Sequence, residues 1–399
     1  MKYAIILPDG ASDEPLPQLS GRTPLEAARH PNMDWVAANG TCGRVVTIPA
    51  GFTAGTDVGT LTLLGYDPHE YYSGRAPIEA AAKRIAVAQD QLVFRCNFVT
   101  IADGKMKDFT AGHISQRDAD DLIQALNAVV FADERCEFHA GVSYRNLMLL
   151  SNAGDLSLRC APPHDIADQR VDDHWPSGDG RERAMAIMRR AADVLRDHPV
   201  NRRRTARGED PATNIWLWGQ GRPVQLESLQ ARFGLSGAAI TAVDIIRGLA
   251  VGMGLELIEV PGATGYIDTD YEAKGKAAAS ALERHDLVIV HVEAPDEAGH
   301  QGLADEKTTA IERIDEAVVG PVLQALRRYP EWRILISPDH ATPVTTKAHC
   351  SKPPPFAYCG TGVSSNGASA FTEAAAAACG KIIDPGHDLF GAFLGITAR

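Results

Sequence analysis

Met1-Lys2-Tyr3-Ala4-Ile5-Ile6-Leu7-Pro8-Asp9-Gly10 is a short apolar run that ends in a carboxylate. Its apolar residues are continuous rather than alternating, which predicts a strand buried on both faces of a parallel sheet. The run is too short for a signal peptide or a membrane span, and a cytoplasmic protein is expected. Two later segments repeat the arrangement: Leu287–Val292 runs into the polar stretch from Glu293 to His300, and Arg333–Ser337 runs into Pro338-Asp339-His340. In open α/β sheets ligands collect at the carboxyl ends of the strands. Three strands from opposite ends of the sequence thus deliver carboxylates and imidazoles to one edge.

Outward from these strands, apolar runs alternate with helical patterns, the signature of an α/β fold with helices on both faces of a mainly parallel sheet. Helices are expected over 24–38, with Thr23 as N-cap and Pro24 at the first position, and over 181–197, 264–284, 305–329 and the alanine run 374–378. Residues 100–205 differ in texture, with strand-like pieces from Gly141 to Leu150 and a Pro- and Asp-rich loop from Ala161 to Gly180. They read as a smaller α+β domain, a substrate-binding lid, inserted into a discontinuous core of 1–99 and 206–399. A chain of 399 residues exceeds the usual size of one core, which fits two domains.

Composition narrows the function. The net charge is −12 with both signs well mixed, which argues against nonspecific nucleic-acid binding. Seven scattered cysteines without a C-x-x-C pair read as free thiols in a reducing compartment, not as a disulfide framework or zinc ribbon.

The chemistry is concentrated in a few residues. Asp296 and His300 are four apart, a spacing that shares one helical face; Asp339-His340 follows a strand, and His349 comes nine residues later. Each piece alone is more often a solvated face or a core histidine; together at three strand ends they suggest metal ligation. Mixed imidazole and carboxylate donors suit zinc, manganese or cobalt, and magnesium where oxygen dominates. Two such ions can clamp the attacking and leaving oxygens of a phosphoryl group. Thr56 follows Gly51-Phe52-Thr53-Ala54-Gly55 and precedes a helical run. A hydroxyl there is a candidate nucleophile at a phosphate-favouring helix N-terminus; in isolation it reads more readily as a helix cap.

Ten collinear motifs carry a resemblance. They are Pro8-Asp9-Gly10, Thr23-Pro24-Leu25-Glu26-Ala27-Ala28, Pro31-Asn32-Met33-Asp34, Leu64-Gly65-Tyr66-Asp67-Pro68, Tyr72-Ser73-Gly74-Arg75-Ala76-Pro77, Phe94-Arg95-Cys96-Asn97-Phe98, His198-Pro199-Val200-Asn201, Pro261-Gly262-Ala263-Thr264-Gly265, Asp296-Glu297-Ala298-Gly299-His300 and Pro338-Asp339-His340. Over essentially its whole length the chain resembles the archaeal-type, cofactor-independent phosphoglycerate mutases of the alkaline phosphatase superfamily. The resemblance implies an alkaline-phosphatase-like core and two divalent metal ions (manganese, zinc, cobalt or magnesium), with no 2,3-bisphosphoglycerate. By position, Asp9, Thr56, Asp339 and His340 match the ligands of one ion, and Asp296, His300 and His349 those of the other. It also implies transient phosphorylation of Thr56, and it points to Arg75, Arg145, Asn201 and Arg204 as substrate-binding groups. Each of the four could equally be an ordinary ion-pair partner.

Three departures bear on the substrate. Thr56 replaces the usual serine, His113 stands in Ala111-Gly112-His113-Ile114 where archaeal members carry arginine, and Pro162-Pro163-His164-Asp165-Ile166 and Asn214-Ile215-Trp216-Leu217-Trp218 resemble a bacterial branch that includes proposed homoserine kinases. The leading expectation is a mutase that interconverts 3- and 2-phosphoglycerate. A homoserine kinase using a nucleoside triphosphate, a phosphomonoesterase and a catalytically silent binding protein remain as alternatives. Expected partners are a small phosphorylated or hydroxy-acid substrate, without nucleic acid or membrane, and a homo-oligomer is compatible with the sequence.

Overall fold

The computed structural model describes residues 1–129, 135–154 and 156–396. The chain forms two compact units, residues 1–72 with 225–399, and residues 73–224.

The first unit is built on an eight-stranded sheet. Its order is Glu256–Leu257, Gly237–Ile240, Leu287–Val292, Lys2–Pro8, Trp332–Ile336, Pro355–Gly360, Thr41–Val45 and Ile382–Ile383. Only Pro355–Gly360 runs against its neighbours; the other pairings are parallel. The three strands singled out by their acidic ends are thus adjacent and parallel, with Lys2–Pro8 in the middle. One face, including Ala4, Ile6, Val288, Val290, Ile334 and Ile336, packs on helices Pro31–Ala38, Tyr271–Ala281 and Ala304–Ile314. The opposite face buries Ile5, Leu7 and Leu335, and Tyr3 meets Phe393 of helix Asp388–Leu394 edge-on. Burial on both faces is why these strands lack polar alternation.

Helix boundaries depart from the sequence expectation for local reasons. The segment 24–38 is two helices, Pro24–Ala27 and Pro31–Ala38, because Ala28 is extended and Pro31 disfavours helical backbone at His30. The segment 264–284 is helical only over Tyr271–Ala281, where the Asp270 side chain caps Ala273 N–H. Within 305–329 the turn Asp315–Val319 widens to a π-helix, and the Asp315 carboxylate caps the N–H groups of Asn32 and Met33.

The second unit carries an antiparallel sheet in the order Lys105–Asp108, Leu92–Ala102, Arg145–Leu150, Cys136–Val142, with Asn214–Gly221 also paired to Leu92–Ala102. Helices Gln116–Val129 and Arg181–Arg196 cover one face, and Ala76 and Ala80 of helix Arg75–Ala82 pack on Val93, Leu147 and Leu149 of the other. This corrects the boundaries drawn at 100 and 205. The strands Leu92–Ala102 and Asn214–Gly221 pair with each other, so both belong to the inserted unit rather than to the core. The mostly parallel sheet with a smaller antiparallel one is the expected architecture. All seven cysteines are free thiols, and no helix among the described residues is long and apolar enough to cross a membrane.

Beneath the carboxyl edge of the large sheet, the fully buried Lys307 ammonium bonds Asp13 Oδ2 at 2.7 Å, Thr342 O at 2.8 Å and Ser12 O at 3.2 Å. It ties the loop after Lys2–Pro8 to the loop after Trp332–Ile336. Lys307→Met should destabilise the protein by about 3–5 kcal/mol, because it strands the buried Asp13 charge. The double variant Lys307→Met/Asp13→Leu should recover part of that loss. Denaturant unfolding of both variants checks this, and an unchanged Lys307→Met midpoint would count against the role.

Candidate active site and metal centre

The three central strands end at Pro8, Val292 and Ile336, and the residues just beyond them converge. Gly10 turns the chain at φ +60°, and a Cβ there would lie 2.5 Å from Asp296 Oδ1, so only glycine admits the close approach. Gly59 plays the same part for helix Thr56–Leu63, where a Cβ would meet Asp339 O at 2.4 Å.

Asp9, Asp339 and His340 offer ligand atoms within 4.8 Å of one another, and all three are fully buried. Thr56 Oγ1 lies 3.4 Å from Asp9 Oδ2 and 3.2 Å from His340 Nε2. Thr56 is the first residue of its helix, after Gly55 at the N-cap, and the Val58 N–H of the first turn is taken by Asp57 Oδ1 at 3.0 Å rather than by Thr56. The hydroxyl therefore faces the cluster, and the cap reading does not hold. Asp296, His300 and His349 form a second group: Asp296 Oδ2 is 3.2 Å from His300 Nε2 and Oδ1 is 3.3 Å from His349 Nε2.

The ring orientations follow a rule. His300 Nδ1 donates to Lys347 O at 3.0 Å, His349 Nδ1 to Ala54 O at 3.4 Å, and His340 Nδ1 to Thr342 Oγ1 at 3.2 Å. Each ring spends its Nδ1–H on an oxygen and turns Nε2 towards a carboxylate cluster, where it donates while protonated and offers a lone pair once deprotonated, the orientation of a metal-ligating histidine. Thr342 links the two groups, because its hydroxyl donates onward to Asp296 Oδ1 at 2.5 Å.

The electrostatics favour a cation. Burial pushes Asp9 well above the usual carboxylate range, and the charges of Asp339 and Asp296 push it further. Burial would raise Asp296 too, but hydrogen bonds from His300 and His349 hold it well below that range. The bond to Asp296 raises His300 to about 9, whereas burial lowers His340. Asp9 Oδ1 is buried with no hydrogen-bond partner, for His340 Nε2 at 3.4 Å does not meet hydrogen-bond geometry. An orphaned carboxylate oxygen among like charges and inward-facing imidazoles is a donor set that fits divalent ions.

The remaining candidates lie in the inserted unit. Asn201 and Arg204 are corrected as substrate groups, because their polar atoms are spent inside the unit. Buried Asn201 bonds Leu195 O, Ala212 O and Ala212 N–H. Buried Arg204 bonds Asp210 O at 3.0 Å and Ala111 O at 2.8 Å, with Glu209 at 3.2 Å. It braces Ala111, Gly112 and His113, three consecutive residues at positive φ that display His113 on the surface. Arg75 and Arg145 remain at or near the surface, and the sequence reading missed Arg95 between them. Arg95 pairs with Glu79 at 3.1 Å and stacks on Trp218 at 4.1 Å. Burial lowers it to about 10, and although Glu79 opposes this, the neighbouring Arg75 and Arg145 charges lower it further. Sequence reasoning also missed Thr342 and His291, whose Nε2 is 2.9 Å from Asp9 Oδ2. Glu293, which with Asp9 and His291 makes a third group able to hold an ion, lay within a polar stretch noted only as a whole.

Comparison with known proteins fits this geometry. Residues 37–201 match the family described as 2,3-bisphosphoglycerate-independent phosphoglycerate mutase. A protein of that description from Methanothrix thermoacetophila is 47% identical over 98% of both chains, and a Geobacter sulfurreducens protein described as a probable one is 44% identical over 98% of both. Among solved structures, a Pyrococcus horikoshii protein superposes with a TM-score of 0.82 at 28% identity, covering 99% of this chain and 96% of the other. The cofactor-independent phosphoglycerate mutase of Thermoplasma acidophilum gives 0.68 at 26% identity, covering 99% of both. The chain belongs to the 2,3-bisphosphoglycerate-independent phosphoglycerate mutase family.

Proposed function

We propose that this protein interconverts 3-phosphoglycerate and 2-phosphoglycerate through a phosphorylated Thr56, with two divalent cations. The observation that carries the reading is the Thr56 hydroxyl, buried and uninvolved in capping, within hydrogen-bond reach of both Asp9 and His340. One cation is assigned to Asp9, Thr56, Asp339 and His340, the other to Asp296, His300 and His349. Bound there, they would lower the pKa of the hydroxyl and offset charge on the transferring phosphoryl group. The mixed nitrogen and oxygen donors favour manganese, cobalt or zinc over magnesium.

Thr56 Oγ1 forms a bond to phosphorus as the bond from phosphorus to O3 breaks. The hydroxyl proton has Asp9 Oδ2 as an acceptor at 3.4 Å. Glycerate leaves as O3 takes that proton from Asp9, reorients while held, and attacks the phosphothreonine through O2; the O2 proton passes by way of Asp9 to Thr56 Oγ1 as its bond to phosphorus breaks, which restores the hydroxyl. In the inserted unit Arg75 and Arg145, at or near its surface, are the guanidinium groups suited to a carboxylate or phosphate. The Methanothrix and Thermoplasma relatives are mutases by description and the Geobacter one a probable mutase, and none of them lends support to a homoserine kinase. A cytoplasmic location is carried with this reading.

Thr56→Val keeps the branched shape and removes the oxygen, so it should lower turnover of 3-phosphoglycerate by at least about 1,000-fold while the protein stays folded. Thr56→Ser should retain activity. A valine variant near wild-type rate would overturn the assignment, as would turnover of homoserine with ATP but not of 3-phosphoglycerate.

Metal affinity should depend on pH. Without metal, His300 is held at about 9 by Asp296, and a cation binds only the unprotonated ring. Affinity at that group should therefore rise about tenfold per pH unit up to roughly pH 9 and level off above it, with proton release on binding. Calorimetric titration in buffers of different ionisation enthalpy measures both, and pH-independent affinity without proton release would contradict the site.

A further inference from the structure

Four histidines at this edge of the sheet turn Nε2 towards a carboxylate, and one differs from the rest in which nitrogen its surroundings protonate. His291 lies inside strand Leu287–Val292 and is fully buried. Its Nδ1 is 3.3 Å from Thr241 Oγ1, and that oxygen already accepts the Val243 N–H at 3.1 Å. With the Thr241 proton directed to Nδ1, the ring hydrogen sits on Nε2. The other end of the ring gives the same answer: Asp9 Oδ2 at 2.9 Å is an acceptor and requires a donor opposite it.

The same ring is part of the Asp9, His291 and Glu293 group that could hold an ion. Ligation there needs an Nε2 lone pair, hence the other tautomer and loss of the 2.9 Å bond to Asp9. A cation is already close by, since the buried Lys274 ammonium donates to His291 O at 3.2 Å and interacts with the Glu293 charge.

We propose that His291 is a positioning residue and not a ligand of a third ion. It donates from Nε2 to Asp9 Oδ2, which fixes the carboxylate so that the orphaned Oδ1 faces the cation shared with Thr56, Asp339 and His340. Thr241 locks the tautomer that makes this possible. The inference rests on the two-cation reading, and its test separates the two.

The first measurement uses the unmutated protein. Long-range ¹H–¹⁵N NMR of the histidine rings, with His291 assigned from the spectrum of His291→Gln, should show His291 protonated on Nε2 both without metal and after saturation with zinc. Loss of the Nε2 proton on zinc binding, or a third zinc equivalent that His291→Gln removes, would overturn the proposal. The second measurement is manganese affinity and kinetics. His291→Leu should weaken binding at the Asp9 group by about 10–100-fold, leave the His300 group unchanged, and lower kcat with little change in KM. His291→Gln places an amide N–H near the position of Nε2 and should recover most of that loss, while Thr241→Val should give a smaller defect of the same kind. Equal affinity in wild type and His291→Leu would sink the proposal. If the leucine variant does not fold, the wild-type tautomer and the glutamine variant still decide. Failure of the wild-type protein to bind two equivalents would instead overturn the underlying metal reading.

Discussion

Asp9, Asp296 and Asp339 are held out of water at one edge of one sheet, and the surrounding structure is organised around that constraint. Two like charges about 4 Å apart repel by roughly 4 kcal/mol at an effective dielectric of about 20, before any desolvation cost. The chain spends much of its buried polarity on this problem. Gly10 N–H and Thr60 Oγ1 donate to Asp339, Thr342 Oγ1 to Asp296 and His291 Nε2 to Asp9, and Lys307 clamps the two loops underneath. Even so, Asp9 remains pushed well above its usual range, first by burial and then by the charges of Asp339 and Asp296. Divalent ions bound there would offset that charge, and the geometry leaves an oxygen and three imidazole nitrogens turned inward.

The second-layer oxygens give the centre its directionality. Backbone carbonyls of Ala54 and Lys347 and the Thr342 hydroxyl each take an Nδ1–H, so the three ligand candidates turn Nε2 inward. Thr241 reverses the arrangement for His291. Identical side chains are thus divided between ligation and positioning by what lies behind each ring. Thr342 also joins the two groups through a single hydroxyl, so His340 in one and Asp296 in the other share a hydrogen-bond partner.

The strand ends were legible in the sequence because burial on both faces forces continuous apolar runs, and the acids that end them stand out. Thr56 was legible by its glycine-rich approach, although the sequence could not separate nucleophile from cap; in the structure Gly55 holds the N-cap position, so Thr56 is not the cap. His291 was hidden because it interrupts an apolar strand by one residue and resembles a core histidine. Thr342 carried no signal, since its role depends on two partners, one of them 46 residues away in sequence. Arg204 and Asn201 looked like substrate groups because the family motifs contain them, whereas their burial and backbone bonds show them holding the turn at Ala111–His113 and the approach to strand Asn214–Gly221. The domain boundaries were misplaced because antiparallel pairing between Leu92–Ala102 and Asn214–Gly221 is a long-range fact that neither strand reveals alone.

The central claim is that the buried hydroxyl facing Asp9 and His340 carries the phosphoryl group. The direct measurement is rapid acid quench of the manganese-loaded protein with 3-phosphoglycerate, followed by mass spectrometry of the peptide that contains Thr56. The account predicts phosphate on Thr56 at times shorter than one turnover, and none on that peptide in Thr56→Val. Phosphate on a histidine, or turnover at full rate with no phosphopeptide at any time, would contradict it.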